Sequence, residues 1–559
     1  MVTIDDIVAP APVYDEVAAR YRVFESDLRA AAGGAAAAKA VRNWDAQRRQ
    51  TGTWSSLVNL RFSQDTANDQ FKQAREYCDE ITPRLTDLDV RMMRLLLAHP
   101  RRAGLEREFG AHAFALWETE VLSFDPAIES QLVQEAKLKA EYNQLIAGAK
   151  LNFRGATYNF SGFVKFREDA DRQTRHEAEI VRWQWMADNR AQLDRIYDDL
   201  VHLRHAMARR LGFENHIGMG YKKMGRTDYT AADVAQFRAE VREHLVPLAA
   251  ELRRRQAQAL GVDALKFWDE AIYDPQGNPA PQGGHDWMVA RATEMFDAMG
   301  EELGGFNRLM VAGRLTDLKN RDGKRFGGFC TGFPTHGVPF IFGNFNGTKH
   351  DVEVFTHEMG HAYQSYRSRE KPLLDYFWPT AEAAEVHSMS LEMLTGPHME
   401  KFFGPGAERF RRIHLTQALL FIPYGVAVDH FQHLVYARPD ATPAERNAMW
   451  QEMERTYLPW REYDGMPHVT GGGMWQFQMH IYAYPFYYID YTLAQTCALQ
   501  FWVRAQRDLP GTMAAYHALC ARGGEAPFQE LIRSAGLTSP FQPGCLRGVV
   551  EQARKALAG

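Results

Sequence analysis

Asp351-Val352-Glu353-Val354-Phe355-Thr356-His357-Glu358-Met359-Gly360-His361 places two histidines four residues apart, with a glutamate directly after the first. Positions i and i+4 lie one above the other on a helical face, so the imidazoles of His357 and His361 can reach one metal ion. Glu358 is rotated by about 100° from His357. It can flank the ion without binding it and act on a water molecule there. Chance alone gives only about 0.04 matches to H-E-x-x-H in a chain of this composition. The competing reading is a solvated histidine pair with an ordinary surface glutamate between them.

A hydrolytic zinc site needs a third protein ligand and an open fourth position. The metzincin spacing would put Gly at 364 and His at 367, where the chain has Gln364 and Arg367. A glutamate nineteen positions after the second histidine, as in thermolysin-like enzymes, would fall on Thr380. The next acidic residues are Glu382, Glu385 and Glu392, within Pro379-Thr380-Ala381-Glu382-Ala383-Ala384-Glu385-Val386-His387-Ser388-Met389-Ser390-Leu391-Glu392. This stretch reads as a helix with proline just ahead of its first turn. Its three glutamates share one face.

The arrangement resembles the M3 family of zinc metallopeptidases, the group of thimet oligopeptidase and oligoendopeptidase F. In that family a Glu-x-x-Ser-x-x-x-Glu helix follows the first histidine by roughly twenty-five to thirty residues and begins with the third ligand. Glu385 through Glu392 fits that pattern, so the resemblance implies Glu385 as the third ligand of one Zn²⁺ per chain. Glu382 is its nearest rival, and His387 a weaker one. The blocks Phe326-Gly327-Gly328-Phe329-Cys330-Thr331-Gly332-Phe333, Pro339 to Thr348 and His480 to Tyr491 are similar to the oligoendopeptidase F branch. The likeness extends weakly to Asn43-Trp44-Asp45-Ala46 and to Ser55 through Arg61, and is most specific between about 320 and 495.

Two imidazoles and one carboxylate leave a zinc site at about +1, enough to lower the pKa of bound water towards about 7. Glu358 is then the expected general base. Glu392 is expected to orient a ligand histidine by accepting its other N–H. Asp351 reads as a helix cap. By resemblance to the family's C-terminal tyrosine-rich segment, Tyr488, Tyr491 and His480 are the candidates for donors to the oxyanion, with Tyr484 and Tyr487 as substitutes. A tyrosine stripe at helical spacing is more often core. Gly327 to Asn346 suggests a hairpin turning at Thr335-His336-Gly337-Val338-Pro339, whose free edge could pair with an extended peptide. Gly471-Gly472-Gly473 suits either a turn or a mobile loop over a cleft.

The bounding properties exclude several classes. Net charge −5 with pI near 6.5 leaves no nucleic-acid footprint. No apolar run approaches the roughly 18–20 residues of a membrane span, and the N-terminus shows no signal-like apolar stretch. Cys78, Cys330, Cys497, Cys520 and Cys545 are scattered and odd in number, which reads as free thiols in the cytoplasm. Most of 1–150 and 165–320 has helical periodicity, Tyr77 to His99 for example. The Ala-rich stretch from Ala30 to Ala40 reads as a broken helix around Gly33-Gly34. Leu151 to Phe160 reads as a small hairpin.

The expected fold is mainly α: a zincin-type catalytic lobe with a small β-sheet beside the HExxH helix, and a helical N-terminal lobe, which the resemblance implies enclose a deep cleft or channel. The division expected is 1–190 for the N-terminal lobe, with its hairpin near 150–162, and 191–559 for the catalytic region. The function the resemblance implies is cleavage of internal bonds in short, unfolded peptides. The alternatives are a helical zinc carboxypeptidase and a catalytically idle peptide-binding protein. Oligomeric state, monomer or homodimer, stays open.

Overall fold

The computed structural model describes residues 2–558 apart from Asp322 and Phe326, and of Ser161 the backbone alone. Phe326, which opens the aromatic block quoted above, thus lies outside the described residues. Helices dominate. The Ala-rich stretch breaks as expected, with one helix ending at Ala30 and the next beginning at Gly34. Asp69–Leu97 starts where the Asn68 side chain accepts from the amides of Gln70 and Phe71. It buries Cys78, Ile81, Leu88, Met92 and Leu96 along one stripe. These N-terminal helices pack around Trp44 and Trp117, whose rings meet edge-on at 5.3 Å.

Leu373 and Tyr376, far along the chain, belong to that same apolar cluster. The Arg48 guanidinium forks onto Asp375 with two 2.8 Å bonds, and the Tyr376 hydroxyl accepts from the amide of Ala113. The N-terminal helices therefore grip the segment that joins the two helices of the candidate site.

Two small sheets interrupt the helices. β1 (Leu151–Phe153) and β2 (Ala156–Tyr158) form the predicted hairpin. Its two turn residues, Arg154 and Gly155, both have positive φ, 49° and 82°, as a two-residue turn matched to strand twist requires. The second sheet has the order β3 (Thr316–Lys319), β5 (Val338–Phe345), β4 (Phe329–Phe333). β5 runs parallel to β3 and antiparallel to β4, the latter pair closing the expected hairpin.

β4 is an edge strand, and its register fixes what that edge offers. Cys330 faces Ile341 and Gly332 faces Pro339. Ile341 donates its amide to Leu315, away from β4, and proline has no amide to donate. Both are thus non-hydrogen-bonded pairs, so Cys330 and Gly332 direct their N–H and C=O groups to the free edge.

Three helices stack beside this sheet. The motif helix, Lys349–Arg367, lies against β5 and β4 and against the glutamate helix, Ala381–Leu394. The glutamate helix packs in turn on the tyrosine helix, Tyr488–Ala505. Of its residues only Ala381, at its start, and Glu392 escape full burial. The run of Ala and Ser in its sequence permits that close approach. At Gly360 the two backbones nearly touch: a Cβ there would lie 2.6 Å from the His387 carbonyl oxygen and from Ser388 Cα. No helix among the described residues is long and apolar enough to cross a membrane.

Candidate metal centre and active site

His357 and His361 project from the motif helix with ring centroids 4.9 Å apart. Glu385 comes from the facing helix, its Oε2 3.3 Å from His357 Nε2 and 3.4 Å from His361 Nε2. The donor atoms of the three lie within 4.8 Å of one another, and they form a cluster able to hold a metal ion. Glu382, one turn earlier, is not in this group; it is fully buried where the charges of Asp490 and Arg226 act on it. His387 is buried in the helix interface and also stays apart.

Glu392 reaches the far side of His357, accepting at 2.7 Å from Nδ1, while its other oxygen lies 3.1 Å from His414 Nε2. This fixes His357 with its Nε2 lone pair turned to Glu385. Burial works against charge on His357, but Glu385 and Glu392 outweigh it and hold its proton affinity well above the usual value. A carboxylate pair that favours a proton there favours a divalent cation for the same Coulombic reason. Burial would raise the Glu385 carboxyl, yet the facing His361 and His357 hold it well below the carboxylate range. Two imidazole nitrogens and one carboxylate oxygen are a donor set suited to a catalytic zinc with an open position.

Glu358 is buried beside this cluster, and its Oε2 has no hydrogen-bond partner among the described residues. Burial pushes its carboxyl up, with the two imidazoles opposing. Gly328 makes room for it, since a Cβ there would lie 2.9 Å from Val354 and 3.6 Å from Glu358 Oε1. Asp351 is not the helix cap, a position held by Thr348. It lies in the first turn of the motif helix and accepts from the amides of Asn346 and Gly347, bending the chain from β5 into that helix.

A cavity of about 360 Å³ opens over the cluster. Its walls include Gly328 just ahead of β4, Phe329 and Cys330 of β4, Trp378 beside His361, and Tyr487 and Tyr491. Tyr487 donates to Glu385 Oε1 at 2.9 Å. Tyr488 lies in the layer behind, packed on Tyr424, Phe421, His480 and Tyr491. His480 is part of the same aromatic cluster and stacks on Tyr487. Tyr484 is half exposed at the cluster's outer end.

The turn before Tyr487 decides which phenol faces the cavity. Phe486 has φ 65°, a strained value for a residue with a side chain. Its amide donates to Gln432 Oε1 and its carbonyl accepts from Arg226, both at 2.5 Å, and Arg226 pairs with buried Asp490 at 2.7 Å. Gly471-Gly472-Gly473 adopts the turn reading: Gly472 abuts the Asn447 backbone and Gly473 the His468 ring. Sequence patterns missed His414, Trp378 and the Tyr487–Glu385 contact. Only the i, i+4 spacing of Tyr487 and Tyr491 hinted at their shared face.

A mainly helical fold around a histidine–histidine–glutamate cluster on an H-E-x-x-H helix defines the class as a metallopeptidase. The family model Peptidase family M3 matches residues 165–551, and Peptidase M3 N-terminal domain matches 4–124. The chain belongs to peptidase family M3. It is similar to a solved structure assigned to oligoendopeptidase F, with 43% identity, TM-score 0.96 and coverage of 100% of this chain and 99% of that one. PZ peptidase A, solved with an inhibitor, shares 41% identity with a TM-score of 0.95, over 99% of this chain and 98% of that one. An oligoendopeptidase F homolog of Lactococcus lactis subsp. lactis (strain IL1403) is 28% identical over 171 residues, 30% of this chain. That match spans 28% of the curated relative's length.

Proposed function

We propose that the protein is a zinc-dependent oligoendopeptidase that hydrolyses internal bonds of short, unfolded peptides, with His357, His361 and Glu385 holding the metal and Glu358 as general base. The observation that carries this is the meeting of both Nε2 atoms on Glu385 Oε2, at 3.3 and 3.4 Å, beside the buried, unpaired Oε2 of Glu358. Zinc held there supplies Lewis acidity, polarising the scissile carbonyl and making water more acidic.

The chain's own residues do the rest. Glu358 takes a proton from the attacking water and returns it to the departing amine nitrogen, a task suited to a carboxyl raised by burial. Glu392 holds the tautomer of His357, and Tyr487 steadies Glu385. His480, Tyr491 and Tyr488 are our candidates for donors to the carbonyl oxygen as its charge develops, Tyr491 being the one on the cavity wall. The outward amide and carbonyl groups of Cys330 and Gly332 suit an extended peptide backbone added beside β4, which gives tolerance of side-chain sequence. Five free thiols fit a reducing cytoplasmic setting.

The test is mass spectrometry of products from nested peptides and one folded protein, with and without a zinc chelator. Internal cuts confined to short peptides and abolished by the chelator are expected. Stepwise release of C-terminal residues would assign an exopeptidase, and a zinc-loaded protein that cuts nothing would assign a binding protein.

A further inference from the structure

His480 has one hydrogen bond among the described residues: its Nδ1 lies 2.8 Å from the side-chain nitrogen of Gln478. The oxygen of that amide is already engaged, accepting at 2.8 Å from the Tyr424 hydroxyl. Tyr424 reaches it from the long helix Ala407–Ala437. Burial pushes the Tyr424 phenol up to about 12, so it remains a donor across the working range of pH. With its oxygen held by Tyr424, the Gln478 amide turns its NH₂ towards His480.

An amide NH₂ donates and has no lone pair to offer, so in this orientation of the amide His480 Nδ1 is the acceptor. An imidazole that accepts at Nδ1 is neutral and carries its proton on Nε2. The surroundings agree. The rings nearest His480 are those of Tyr484, Tyr487, Tyr488 and Tyr491, with centroids 5.2 to 6.3 Å away. Burial draws the imidazole down to about 4, and the charge that opposes this is Glu385, on the far side of Tyr487.

We propose that Gln478 is a positioning residue which, backed by Tyr424, holds His480 as the neutral Nε2–H tautomer, so that the ring serves as a fixed hydrogen-bond donor to the reacting carbonyl oxygen and not as an acid or base. This rests on the reading of His480 given above. It makes Tyr424–Gln478–His480 a relay of orientation in which no proton moves.

Gln478→Glu tests it with almost no change of shape. Two carboxylate oxygens can only accept, so Nδ1 must then carry the proton, and a neutral His480 loses its donor at Nε2. Only the imidazolium keeps both N–H groups. The expected result is a kcat lower by about 10²–10³ at pH 8 with KM little changed, recovering as pH falls and His480 becomes charged. Gln478→Met, which removes the amide and adds no carboxylate, should lower kcat without that acid-side recovery.

His480→Phe separates the two claims. If it retains wild-type kcat, the donor role of His480 falls and the proposal with it. If it loses kcat while Gln478→Glu keeps the wild-type pH profile, the proposal alone falls. A direct measurement is the two-bond ¹H–¹⁵N spectrum of protein labelled with ¹⁵N-histidine, His480 being assigned by its absence in His480→Phe. A protonated Nε2 with a bare Nδ1 is expected, and the reverse pattern overturns the proposal.

Discussion

Glu358 has a buried carboxylate oxygen with no partner among the described residues, which is costly unless something recovers that cost in catalysis. Glu358→Gln keeps the shape and removes the proposed base. It should lower kcat by at least about 10²–10⁴ while zinc content, measured by atomic absorption, stays near one per chain. Glu392 acts one step further out. Glu392→Ala frees His357 Nδ1 and leaves His414 without its carboxylate, and zinc affinity measured by chelator competition should fall about 10–100-fold. The contrast between the two variants separates base from ligand support. At this scale the histidine pair and Glu358 were legible because their geometry is set within one helical turn. Glu385 was singled out only by the family resemblance, since spacing alone left Glu382 as a rival. His414 was not, because its helix carries no motif and it meets Glu392 only through tertiary packing. The relative placing of Tyr487 and Tyr488 was also hidden, since it depends on the left-handed turn at Phe486.

Gly360 shows how two elements constrain each other. Glycine inside a helix normally costs about 0.5–1 kcal/mol relative to alanine, so Gly→Ala at an exposed helical position stabilises. Here the added methyl would meet the His387 carbonyl and Ser388 Cα at 2.6 Å, backbone that cannot swing aside. Gly360→Ala should therefore destabilise by about 1–3 kcal/mol, and by moving the glutamate helix away it should also weaken zinc binding. Urea denaturation with and without zinc checks both, and a stabilised variant with unchanged affinity would rule out the close contact. Most elements were readable from periodicity and turn residues: the motif helix, the hairpin of β4 and β5, and the break near Gly33. β3 was not, because four residues of Thr-Asp-Leu-Lys carry no strand signal of their own. Its pairing with β5 is parallel, made across a connection that includes β4 and the turn after it.

Across the whole molecule, burial has been bought for several histidines at the expense of acid tolerance. His112 and His468 are each pushed down to about 4 by burial, and His430 likewise. His216, with both ring nitrogens unpaired among the described residues, is driven well below the ordinary value by burial. Unfolding returns these imidazoles to an ordinary pKa near 6.5. Between about 6.5 and 4 the unfolded chain therefore binds more protons than the folded one, and stability rises with pH. The contribution is fully present above about pH 6.5 and is lost as pH falls through 4, each imidazole approaching roughly 1.4 kcal/mol per pH unit. Burial pushes the Glu382 carboxyl up, Asp490 adding to this and Arg226 opposing it. That group has the opposite sign, favouring the fold at low pH and losing its contribution as pH rises through its folded pKa. His387 and His480 are drawn down to about 4 in the same way, and Asp490 beside Glu382 is pushed up to about 6 by burial. The imidazoles outnumber these two carboxyls, so the midpoint of urea denaturation should fall steadily from about pH 6.5 to 4.5. His468→Gln should reduce that slope by about one proton, because glutamine occupies the buried place without titrating. A midpoint that stays constant over this window would mean that the buried imidazoles gain solvent or a counter-charge as they titrate, and the packing around His216 and His468 would need to open to allow it.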